Sequence, residues 1–165
     1  MITIRCTKKL LRRLGASRPV ANLPADVAPT TRLGDWHANV LYRPEAELVM
    51  FVNDRSLLPI VVQARPTDIV AVRFVEALAT TLLHLGASPR VVEAEIAEMT
   101  VVQLGPTRSR QILGSMNDFF RMFDYPAEPG CTLIDAALEL AEAPCGPIGM
   151  QRPQDVALQL LASGQ

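Results

Sequence analysis

Two hydrophobic periods alternate along the chain, and the changeovers between them mark out its elements. Ile2-Thr3-Ile4-Arg5-Cys6 alternates apolar and polar, as a half-buried strand does. Thr7 then stands as N-cap to a helix from Lys8 to Leu14, which Gly15 ends. The next stretch, SRPVANLPADVAPTTR, carries prolines at 19, 24 and 29. Proline removes an amide donor, so the 16–32 connection reads as poorly ordered or following the surface, open to proteolysis at Arg18 and Arg32.

From Trp36 the period is two. WHANVLYR, ELVMFVN and LPIVVQA are β-type runs separated by Pro44-Glu45-Ala46 and Asp54-Arg55-Ser56. Short polar turns between such runs predict an antiparallel meander. In the first run Trp36, Ala38, Val40 and Tyr42 share one face, and His37, Asn39, Leu41 and Arg43 the other. That second, half-polar face suggests water or a site on one side of the sheet.

The period then changes to 3.6. Thr67 is read as the cap of a long helix ending at Leu85 before Gly86, with Ile69, Val72, Val75, Leu78, Leu82 and Leu85 as its apolar stripe. Ser88 and Pro89 open a shorter, acidic helix. Met99 to Leu104 reads as a further strand closed by Gly105-Pro106. Thr132 caps a helix through Glu142, and Pro153 opens a last one through Ala162. The order predicts an α+β fold: a small antiparallel or mixed sheet, made of the meander plus an N-terminal and a later strand, packed by helices. One domain over residues 1–165 is expected, with Ile4, Val40, Phe51, Val61, Val72 and Leu82 in its core.

RSRQILGSMNDFF, residues 108–120, fits no single pattern. Ser115 with Asp118 three residues on resembles a capping box, and Gly114 would let the chain turn into the helix that follows. The alternative is an anion site, because a helix N-terminus offers free amides and Arg108 and Arg110 are close in sequence. The cap is the simpler reading.

Composition narrows the functional classes. A hydrophobic fraction of 49% fits a folded core, and a formal net charge of -1 argues against nucleic acid as a partner. The basic residues near the start, Arg5 to Arg18, read as a solvated face. Cys6, Cys131 and Cys145 are far apart, and His37 and His84 are the only histidines, so neither a metal site nor a disulfide framework is expected. Free thiols suit a reducing cytoplasm. No leader or membrane span is read in the sequence. No Gly-rich phosphate loop follows a strand, so no cofactor is expected.

The candidate chemistry lies in two segments. In LGDWHAN, residues 33–39, Asp35, His37 and Asn39 alternate and point one way, and an Asp with a nearby His can do acid–base work. Trp36 is most simply a core anchor. IRCTKKLL, LGDWHANVLY and RSRQILGSMNDF, with PIGMQRP near the end, together resemble a family of small, mostly bacterial proteins catalogued as domain of unknown function 6933. The resemblance spans most of the chain and gives Lys8, Asp35, Trp36, Asn39, Arg108, Ser115, Asn117 and Asp118 a shared context, with no established activity.

Two functions are consistent with this. The first is a cytoplasmic non-enzymatic module binding a protein or small-molecule ligand through the polar sheet end, with Lys8, Trp36, Asn39, Arg108, Arg110 and Ser115 as candidate contacts. The second is a small hydrolase or nucleic-acid-processing enzyme using Asp35, His37, Asn117 and Asp118, which requires the two segments to meet.

Overall fold

Five strands, β1 (Ile2–Cys6), β2 (Trp36–Tyr42), β3 (Glu47–Asn53), β4 (Pro59–Gln63) and β5 (Val102–Pro106), form one mixed sheet in the order β4-β3-β2-β1-β5. The computed structural model describes residues 1–15, 28–126 and 128–163. β2, β3 and β4 are the expected antiparallel meander, while β1 runs parallel to both β2 and β5. The α+β class and the mixed sheet follow the hydrophobic pattern.

Helices cover both faces. On the first, α1 (Lys8–Arg13) contributes Leu10 and Leu11, and α2 (Val70–His84) contributes Val70, Phe74, Leu78 and Leu82. α3 (Pro89–Ala97) adds Val92, and α6 (Pro153–Ala162) adds Ala157 and Leu161. Trp36 anchors this core, its ring edge-on to Phe74 at 5.0 Å. On the second face α4 (Arg110–Met122) and α5 (Leu133–Ala141) pack Ile112, Met116, Phe119, Ala136, Ala137 and Leu140 on Leu48, Met50, Val52 and Val61. Among the described residues no helix is long and apolar enough to cross a membrane.

Several local expectations need correction. Ile4, Val40, Phe51, Val61 and Leu82 are buried, but Val72 is 55% exposed. The buried stripe of α2 is Val70, Phe74, Leu78, Thr81 and Leu82, and at 100° per residue Val72 lies about 150° round from its centre. Thr67 caps nothing: Thr67–Ile69 is a separate 3₁₀ turn without a side-chain cap, and α2 begins at Val70. Met99 belongs to another 3₁₀ turn, and β5 runs three residues later than expected at its start and through Gly105 and Pro106. Pro106 fits because β5 is an edge strand.

The connection before β2 is not loose at its end. The Glu95 carboxylate, 2% exposed, accepts from the amides of Arg32 and Leu33, both at 2.9 Å. Arg32 is therefore held against the body; Arg18 lies outside the described residues.

Ser115 does not start a helix. α4 begins at Arg110, and Ser109 is its N-cap, accepting from the Ile112 amide at 3.2 Å. Ser115 is inside the helix, its hydroxyl donating to the Gln111 carbonyl, and Gly114 is an ordinary helical residue. Asp118 pairs with Arg121 at 3.2 Å instead of reaching back to Ser115. The physical reason is the apolar spacing Ile112, Met116, Phe119, which forms a continuous helical stripe straight through the polar cluster.

A polar half-sheet and a cleft beside the fourth helix

The second sheet face is divided by composition. Because side chains alternate, Thr3 and Arg5 of β1, Asp35, His37 and Asn39 in and before β2, and Gln103 of β5 all lie on it. The register sets Gly105, Arg5, His37 and Val52 in one row, with Gln103 beside Thr3 in the next. Over β3 and β4 the same face is apolar and covered by α4 and α5. One half is thus core and the other a polar cluster.

Within the cluster most groups are committed. Asp35 accepts from the Thr3 amide at 2.9 Å and from Arg5 at 3.3 Å. Gly34 makes that placement possible: its φ is +83°, and a Cβ there would sit 3.1 Å from Arg55 Cδ. Asn39 accepts from Thr7 Oγ1 at 2.7 Å and from the Val40 amide at 2.8 Å. Among the described residues the buried amide oxygen of Gln103 has no partner.

His37 is 1% exposed and lies between two polar groups. Its Nε2 is 3.2 Å from Asp54 Oδ1, and its Nδ1 is 3.2 Å from Thr107 Oγ1. The bond to His37 holds the Asp54 carboxyl below its ordinary value, against the opposing effect of burial. His37 therefore pairs with Asp54 from the β3–β4 turn, whereas Asp35 serves Thr3 and Arg5.

Asn117 and Asp118 do not join this group. Both are exposed on α4, and Asp118 is paired with Arg121. Asp118 and Ser115 instead line a cleft of about 340 Å³ between α4 and residues 143–147, together with Phe119, Arg121, Met122 and Cys145. The far wall is a tight loop. The Cys145 amide donates to the Gln151 carbonyl at 3.0 Å, and the Met150 amide to the Cys145 carbonyl at 2.9 Å. Met150 closes it with φ +60°, a left-handed conformation that costs a non-glycine residue on the order of 1–3 kcal/mol. Burial pushes the Cys145 thiol up, and the Asp118 carboxylate adds to this, so it stays protonated at neutral pH. Cys6, inside the first core, is pushed up to about 12 by burial.

The other candidate contacts scatter. Trp36 is fully buried on the first face, Lys8 is exposed on α1, and Arg108 and Arg110 are exposed beside the Ser109 cap. Among the described residues no three His, Cys, Asp or Glu side chains cluster as metal ligands would. Sequence reasoning missed Asp54, which looked like a turn residue, and Thr107, which followed a Gly-Pro stop. It also missed Cys145, for which no local spacing gives a signal.

No curated protein and no solved structure matches the chain. The segments that meet at the cleft, LGSMNDF and the start of PIGMQRP, both begin within the stretch covered by one family model, which matches residues 3–156. The chain belongs to the family described as Domain of unknown function (DUF6933).

Proposed function

We propose that the chain is a binding module for a small amphipathic ligand, seated in the cleft between α4 and residues 143–147, and that it works in a reducing, cytoplasmic setting. The cleft carries the reading. Its volume of about 340 Å³ falls in the range of small-molecule sites. Phe119, Met122 and Pro144 offer an apolar wall, and the Asp118–Arg121 pair offers charge at the rim. That pair is 68% and 79% exposed, and among the described residues its side chains bond only to each other, so either partner can turn to a polar head group at small cost. The protonated Cys145 thiol serves as part of the apolar wall. Its unpaired state, with that of Cys6 and Cys131, supports the reducing compartment.

An enzyme that pools Asp35, His37, Asn117 and Asp118 has less support. Its residues divide between the sheet face and the exposed side of α4. The test is a thermal-shift screen of small amphipathic compounds against the parent and Ala143→Phe, which narrows the cleft from its half-buried rim. Compounds that raise the parent Tm and leave the variant unchanged support the reading. A screen without a hit, or hits equally effective on the variant, contradicts it.

A further inference from the structure

A second group of side chains, separate from the cleft, lies on the polar half-sheet. Thr107 follows β5 directly, and its amide donates to the Cys6 carbonyl at 3.2 Å. This places it at the carboxyl ends of the parallel strands β1 and β5, where open sheets with parallel strands commonly carry ligands. Thr107 is half-buried, whereas the imidazole 3.2 Å from its hydroxyl is closed to solvent.

For a neutral imidazole, hydrogen-bond chemistry sets the direction of both contacts. An ionised carboxylate only accepts, so Asp54 requires the proton of His37 to be on Nε2. In the neutral ring Nδ1 is then a bare acceptor. Thr107 Oγ1 must donate to it, because two acceptors cannot share that contact. A hydroxyl aimed at a histidine whose other nitrogen is held by a carboxylate is the arrangement of an activated nucleophile. The remaining charges near Asp54 are Arg5 and Arg55, with Asp35 neutralised by Arg5.

We propose that Thr107 is an acyl acceptor, activated by His37, with Asp54 as the residue that positions the imidazole. In the step, Thr107 Oγ1 attacks the carbonyl carbon of an activated ester and a new C–O bond forms. The hydroxyl proton passes to Nδ1, and Asp54 stabilises the resulting imidazolium. The bond to the leaving oxygen breaks, the departing alcohol takes the proton from Nδ1, and Thr107 is left as an ester. This centre shares no residue with the cleft, so it stands or falls independently of the binding reading.

The experiment uses the full chain with 4-nitrophenyl acetate as probe, followed by peptide mapping by mass spectrometry. One acetyl group on the peptide containing Thr107 is expected in the parent and in Thr107→Ser. Thr107→Val, which keeps the side-chain shape, should carry none on that peptide. Asp54→Asn should label about a hundredfold more slowly, the lower end of what general-base assistance contributes, with an unchanged circular dichroism spectrum. Acetyl groups confined to lysines and cysteines in the parent would overturn the proposal. So would labelling of Thr107 at the parental rate in Asp54→Asn, which would leave the His37 contacts a purely structural tie.

Discussion

Arg43, just past the end of β2, donates through Nη2 to the carbonyl oxygens of Phe120 and Phe123, at 2.8 and 2.7 Å. Its guanidinium also lies 5.7 Å from the centre of the Phe123 ring. A residue at the end of β2 thus closes the carboxyl end of α4, where orphan carbonyls and the helix dipole favour a cation. Arg43→Ala should destabilise the protein by about 1.5–3 kcal/mol, the usual range for a hydrogen bond to a charged group. Arg43→Lys should recover part of that, since an ammonium keeps the charge but not the planar fork. Urea melts measure both, and a parental midpoint for Arg43→Ala would show that α4 is not held from the sheet.

At the other end of the same helix, the cap is Ser109. Ser109→Ala should cost about 0.5–2 kcal/mol. Ser115→Ala should stay within about 0.5 kcal/mol of the parent, because the hydrogen bond it loses runs back to Gln111 within the helix and alanine has the better helix propensity. Thermal melts in which Ser115→Ala is the more damaging variant would place the helix start six residues later than the structure does.

Burial divides the apolar residues of α2. Leu82→Ala and Phe51→Ala should each lose about 2–5 kcal/mol, as large side chains removed from a closed core do. Val72→Ala should be close to neutral, since its side chain faces solvent. Equal losses at Val72 and Leu82 would mean that the outer side of α2 is covered in solution.

These contrasts show what the sequence made legible. Period-two runs with short polar turns identified β2, β3 and β4, because burial of a strand face repeats locally and strictly. The sheet order β4-β3-β2-β1-β5 was beyond such reasoning, since it depends on parallel pairing between residues about 30 and 100 positions apart. The Ser115 cap failed because a polar cluster inside a helix looks locally like a boundary; only the spacing of Ile112, Met116 and Phe119 shows that the helix continues. For the site, Asp35, His37 and Asn39 were found on one face, as alternation requires. Asp54 and Thr107 reach His37 only through the meander turn and the return of the chain at β5, and no spacing encodes those contacts.

The Asp54 carboxyl titrates below its ordinary value of 3.8 because His37 hydrogen-bonds to it. A carboxyl depressed in the folded state contributes stability above its unfolded pKa and loses it as pH falls through the folded value. Asp54→Asn should therefore melt below the parent at about pH 6, and the gap should close as pH drops below 3.8. A gap of constant size from about pH 6 to about pH 3 would show that the ionised carboxylate adds nothing.

Whether the cleft is the ligand seat is best decided by amide chemical-shift mapping with the compound that gives the largest thermal shift. Titration into ¹⁵N-labelled protein should move the amides of Ser115, Asp118, Phe119, Met122, Cys145 and Gly146, which line the cleft, and leave those of Thr3, Arg5 and His37 in place. Shifts centred on the polar half-sheet, or spread without focus over the surface, would contradict the account.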